Sequence, residues 1–417
     1  MNLYRLELKR VCKTRMTAIL LAIALVLAVV MAYLPVTFIG WTELDASGNE
    51  VRYTGLKAIR KRQEQQVSGT ITPDVMQEAL EAYQRVYRQH DASSINDIPV
   101  EVFYKELARY QPLVNNAKEA FADPKTGMAP GVMRLTAKDM QNFYSQLPKR
   151  LESVIWLEQS GKPGYEQAQA IAQKKFDAVQ KPFTYSFGVS SDAMDYQTLL
   201  SLLLTLLCAV IAAPVFASDA QTGAQDIQLC TKNGGLRLAA AKLAAAFSIT
   251  GAAYLLCGVV WILVTNALFG WESTKTSMQW LFSVTSLLPY TVGQMEWVMR
   301  VANFLIFFAE VAFVLMASVW AKNNLTALSV ALISVVAPLI VYMVVPGSFG
   351  EWLSTLIPAG GIGLSNALLY KMISFDFLYA GGHAFFQADV LLASAPIKIV
   401  LLVGLAAWGY LRKTKVA

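Results

Sequence analysis

The sequence predicts an all-α polytopic membrane protein, with six transmembrane helices and an all-α extracellular domain between the first and second spans. Three observations predict this. Of the 417 residues, 55% are hydrophobic and only 15% charged, where soluble domains carry about 25% charged residues. The mean hydropathy is +0.42. The charges are also unevenly placed: residues 42–195 hold 19 Lys/Arg and 20 Asp/Glu, and the rest of the chain only 16 and 9. A remainder so poor in charge cannot solvate a surface in water, which excludes a wholly soluble protein. The net charge of +6 gathers at the termini and in one short loop. That is the distribution found beside membrane spans, so the expected partner is the lipid bilayer and not nucleic acid.

Residues 1–15 read as a cytoplasmic amphipathic interfacial helix. On a helical wheel Tyr4, Leu8, Val11 and Cys12 share one face, and Arg5, Lys9, Arg10 and Lys13 the other, with Leu6 off the pattern. Such a helix lies on an anionic leaflet. The uncharged run 16–42 follows and places the first span at 16–41. It is far longer than the ~7–15 apolar residues of a signal peptide, so it reads as a retained anchor.

In the domain 42–195, Thr72-Pro73 is a helix start, followed by Val75, Leu80, Tyr83, Val86 and Tyr87 at helical spacing. Asp97 and Pro99 open a second helix with Val102, Phe103, Leu107 and Tyr110 as its stripe. Thr136 and Asp139 resemble a capping box and lead into Phe143, Leu147, Leu151, Ile155 and Trp156. A fourth helix is expected from Tyr165 to about Gln180. Strand-like alternation is nearly absent, hence the all-α expectation.

Residues 196–417 form a transmembrane domain with five further spans, at about 196–218, 243–271, 301–321, 323–346 and 390–411. Two other apolar stretches, 276–295 and 352–370, are too rich in Gln, Ser, Thr, Pro and Gly to face lipid. They are expected to be interfacial or re-entrant. Lys398, near the outer end of the last span, is expected to snorkel. Glu310 is the one acid well inside a span, which marks helix pairing, a translocation route or a dimer seam.

With the N-terminus inside, the inner segments carry Arg5, Lys9, Arg10, Lys13, Arg15, Lys232, Arg237, Lys242, Lys322, Arg412, Lys413 and Lys415. The short outer ones carry Lys275, Arg300 and Lys371. The positive-inside rule therefore puts both termini in the cytoplasm and the 42–195 domain outside. The four cysteines and two histidines show no metal spacing. No phosphate loop or nucleophile elbow occurs, so no catalytic residue, cofactor site or metal site is expected and any energy must come from a partner.

The stretch 218–242 carries Asp219, Gly223, Leu229, Thr231, Lys232, Gly235, Arg237 and Lys242 between the second and third spans. It resembles the permease subunits of the type-2 ABC exporter family, where this loop runs from an acid through a glycine and a turn to an arginine and a lysine. Asp219 stands where Glu is usual. The run Lys181-Pro182-Phe183 and Tyr185 through Gly188 looks like the return segment of bacterial relatives with a large first extracellular loop.

The resemblance implies a plasma-membrane transport subunit, not an enzyme, that moves a hydrophobic or amphipathic substrate. It implies a separate cytoplasmic ABC ATPase binding ATP and Mg, and a second permease chain as homo- or heterodimer. It assigns the 219–242 loop and the interfacial helix to coupling with that ATPase. The alternative is a membrane-anchored receptor or scaffold that senses an extracellular ligand through the 42–195 domain without transport. A secondary transporter is a third reading, thinly supported by a single intramembrane acid.

Overall fold

The structure is a computed structural model that describes residues 3–45 and 49–414. Among the described residues six helices are long and apolar enough to cross a membrane: Arg15–Phe38, Ser191–Thr222, Leu236–Phe269, Val292–Trp320, Asn324–Val344 and Gln387–Lys413. This is the architecture of a multi-pass membrane protein. The second of these helices is central and packs on the first, third, fourth and fifth, and the fourth packs most extensively on the sixth. Lys415 and the first two residues of the 1–15 segment lie outside the described residues.

The fourth helix begins nine residues earlier than its uncharged run suggests. Thr291 accepts from the Gln294 amide at 3.4 Å, and Gln294 Oε1 accepts from the Thr291 amide at 3.0 Å. This capping box starts the helix. Glu296 and Arg300 are consequently inside it, each 1% exposed. Arg300 is therefore not an outer-loop cation, as the charge count had it. Lys371 is also buried, paired with Asp376 at 3.0 Å.

The second span breaks at Pro214, whose ring removes an amide donor. Ser318 of the fourth span repairs the break: its Oγ accepts from the amides of Phe216 and Ala217, both at 3.1 Å, and donates to the Ala213 carbonyl at 2.6 Å.

The domain between the first two spans is mostly helical but not all-α. A hairpin pairs Gly40–Leu44 with Glu50–Thr54, and a shorter ladder pairs Gly69–Thr70 with Thr184–Tyr185. The ladder forms because it lies where the chain enters and leaves the domain, and it ties the two ends together. The helix Pro73–Gln89 starts as expected, with Thr72 as its cap, and the Thr136–Asp139 capping box forms. Residues 100–110 wind irregularly before the regular helix Gln111–Ala120. The last helix ends at Asp177 instead of near Gln180. The stripes make the core: Leu80, Tyr83, Val86, Leu107, Tyr110, Leu147, Leu151 and Ile155 are buried, whereas Trp156 is 49% exposed.

The polar segment after the third span is satisfied by this domain's neck. Ser277 donates its amide to the Thr184 carbonyl at 2.9 Å and accepts from the Thr184 amide at 3.0 Å, and Thr276 Oγ1 bonds both backbone groups of Ser186. Gln279 Nε2 donates to the carbonyls of Ser286 and Leu288. The seryl, threonyl and glutamine side chains thus replace water for an irregular backbone.

The stretch after the fifth span holds two short helices, Gly347–Leu356 and Leu368–Ile373, and no helix long enough to span. Lys398 of the sixth span donates to the carbonyls of Thr355 and Ile357 at 3.0 and 3.2 Å. The lysine therefore does not snorkel: it caps the open end of the helix Gly347–Leu356. Lys398→Met is expected to cost about 1–3 kcal/mol, because it removes the ammonium donor from the Thr355 carbonyl, while the Ile357 carbonyl keeps the Gly360 amide at 2.8 Å. Thermal unfolding of the purified chain in detergent measures this, and a shift within error would show that the cap is dispensable.

Candidate functional site

Four charges meet where the N-terminal helix Leu3–Cys12 lies against the second and third spans. Local sequence places each of them. Glu7 and Arg10 are one turn apart on the helix, Asp219 follows the Pro214 break, and Lys242 is in the second turn of the third span. Asp219 is the hub. Arg10 Nη1 donates to its two oxygens at 2.9 and 3.1 Å, and Lys242 Nζ donates to Oδ2 at 2.5 Å. Glu7 closes the ring, with Arg10 Nε at 2.9 Å and Lys242 Nζ at 3.5 Å. Arg10 Nη2 also donates to the Val215 carbonyl at 2.9 Å, in the turn opened by the proline.

The cluster is charge-balanced, two acids against two bases. Exposure decides how much each pair matters. The Lys242 side chain is 0% exposed and those of Asp219 and Glu7 11%, whereas that of Arg10 is 35% exposed. An ammonium in that position is tolerable only while its carboxylates are in place. Chemically the cluster can neither transfer a group nor hold a metal. It joins the N-terminal helix to both ends of the loop by ion pairs.

The other loop residues serve the turn, not the cluster. Gly223 takes φ +73° between two short helices, a conformation that costs glycine little. A Cβ on Gly234 would stand 1.7 Å from the Gln228 carbonyl oxygen, so only glycine fits there. Thr231 Oγ1 donates to the Gln228 carbonyl at 2.7 Å, and Gly235 precedes the third helix. Arg237 reaches only Asn233, at 3.3 Å. That contact lies within the loop, and Arg237 joins neither Asp219 nor Lys242 among the described residues. Lys232 and Arg237 are exposed. Arg5 and Lys9 on the N-terminal helix and Lys13 just after it remain exposed as a lipid-binding face would require, and Arg10 turns inward.

Glu310 is fully buried and hydrogen-bonded to Ser334 of the fifth span, which identifies a helix-pairing contact. Sequence reasoning missed Glu7, whose one signal was its position as the only acid on a basic helix, three residues before Arg10. It also missed Glu296, which the Thr291–Gln294 capping pair could have revealed. Among the described residues no group of three His, Cys, Asp or Glu gathers for a metal, and all four cysteines are free. No family model, curated protein or solved structure matches the chain.

Proposed function

We propose that the chain is the membrane-spanning permease subunit of an ATP-driven type-2 ABC exporter, oriented with both termini in the cytoplasm of a plasma membrane. It moves a hydrophobic or amphipathic substrate, and a separate cytoplasmic ATPase supplies ATP and Mg chemistry. A second permease chain completes the membrane unit. The observation that carries this reading is the Glu7–Arg10–Asp219–Lys242 cluster, which makes the N-terminal helix and both ends of the 219–242 loop one mechanical piece. A transport subunit without its own hydrolytic site needs such a piece to receive a partner's motion. Within the loop, Ile227 is 74% exposed, an apolar side chain that a docked protein would cover.

An ABC ATPase is expected to co-purify with the tagged chain from its native host. Ile227→Asp should abolish capture without lowering the thermal stability of the chain, since Ile227 supports no core. Robust ATP hydrolysis by the chain alone would overturn the proposal. So would full ATPase capture by the Ile227→Asp variant. Orientation is tested separately with a cysteine at the exposed position Ser365, in a background lacking Cys12, Cys208, Cys230 and Cys257. Labelling by an impermeant reagent from outside is expected, and labelling only from the cytoplasm would invert the topology.

A further inference from the structure

The ends of the third and fourth spans nearest the interposed domain border an open groove of about 430 Å³. Its walls include Leu263, Trp271 and Trp297, and Glu296 and Asn266 line it with 1% of their surfaces exposed. Asn266 Nδ2 spends its hydrogens on the Ile262 carbonyl at 3.0 Å and on Glu296 Oε2 at 2.7 Å. Glu296 Oε1 and Asn266 Oδ1 have no hydrogen-bond partner among the described residues. Both atoms are buried just beneath the groove wall, so its polar side holds two unpartnered acceptors and no spare amide donor.

The nearby cations do not pair with Glu296, and the three guanidinium nitrogens of Arg300 are buried without a hydrogen-bond partner among the described residues. Lys275, which also lines the groove, pairs with Glu272 at 2.7 Å. Arg300, one turn further along the fourth span, turns toward the third: its guanidinium lies 5.1 Å from the Tyr254 ring centre, and a Cβ on Gly258 would stand 2.0 Å from its Nε. No ion pair joins Arg300 to Glu296 among the described residues. A buried carboxyl without a counter-charge is costly, and inside a membrane bundle it marks a site of function.

We propose that this groove is a binding site for a small organic cation, a protonated amine on an apolar or aromatic body. The ammonium donates to Glu296 Oε1 and Asn266 Oδ1, and the body lies against Leu263 and the two indoles. Tryptophan faces attract cations, and the volume falls within the ~300–1,000 Å³ of small-molecule pockets. An interfacial aromatic belt would account for Trp271 and Trp297 but not for two buried acceptors left without a donor beside them. A bare metal ion would lack oxygen ligands, since calcium takes about 6–8. An anion would meet the carboxylate.

The site is independent of the exporter reading and is tested on the purified full chain without ATP or ATPase. Phenethylammonium is titrated while tryptophan fluorescence is followed, with 2-phenylethanol as the uncharged probe of the same body. A saturable change is expected with the ammonium, and binding of the alcohol weaker by about tenfold or more. Glu296→Gln should weaken ammonium binding to the level of the alcohol, and Glu272→Gln should leave it unchanged. Equal binding of the two probes by the native protein overturns the proposal, whether or not Glu296→Gln folds. Undiminished ammonium binding by a folded Glu296→Gln variant also overturns it.

Discussion

Lys242→Met is expected to lower the stability of the purified chain by about 3–5 kcal/mol, the range for removing one partner of a buried ion pair. The methionine fills a similar volume, so the loss is electrostatic. Asp219 and Glu7 are left 11% exposed with only the half-exposed Arg10 between them. Adding Asp219→Leu to Lys242→Met should recover much of the loss, because the Glu7–Arg10 pair then stands alone and balanced. Such non-additivity is the signature of an interacting pair. Equilibrium unfolding of the two single variants and the double variant measures it. If the single substitutions sum to the double, Asp219 and Lys242 are independent surface charges and the cluster is not one mechanical piece.

Phe183→Ala is expected to cost about 3–5 kcal/mol, the usual loss for emptying a buried aromatic site. Phe183 is fully buried at the neck of the interposed domain, with the Tyr144 and Trp280 rings at 5.2 and 6.4 Å. Its amide donates to Tyr144 Oη at 3.0 Å, and that hydroxyl donates to the Ile71 carbonyl at 2.5 Å. Tyr144→Phe should cost less, about 1–3 kcal/mol, since it removes hydrogen bonds but no volume. Limited proteolysis near Ile71 and Phe183 should accelerate in the same order. Equal rates in the wild-type chain and Phe183→Ala would show that the neck is held elsewhere.

The six spans were legible because each is set by a local requirement. A helix in lipid must be about 20 residues long, apolar, and satisfied by its own backbone, and a single window of sequence displays all three. The caps at Thr72 and at Thr136–Asp139 were legible for the same reason, since donor and acceptor are three residues apart. The β ladder at the domain neck was not, because its strands are only two residues each and lie more than a hundred positions apart.

Charge in the sequence assigned Asp219, Lys242 and Arg10 to segments expected on the same side of the membrane, with Arg10 on the basic face of its helix. Only tertiary packing decided that Arg10 turns inward while Arg5 and Lys9 stay exposed, and that Glu7 completes the ring. Packing also sent Lys398 to the carbonyls of a neighbouring segment instead of to water, and buried Arg300, which charge alone had assigned to a loop. The physical reason is common to all four. Hydropathy is a property of one segment, so sequence alone determined where the chain crosses the membrane. The fate of a charge near or inside the bilayer depends on which distant helix presents the acceptor, and that is set only when the helices pack.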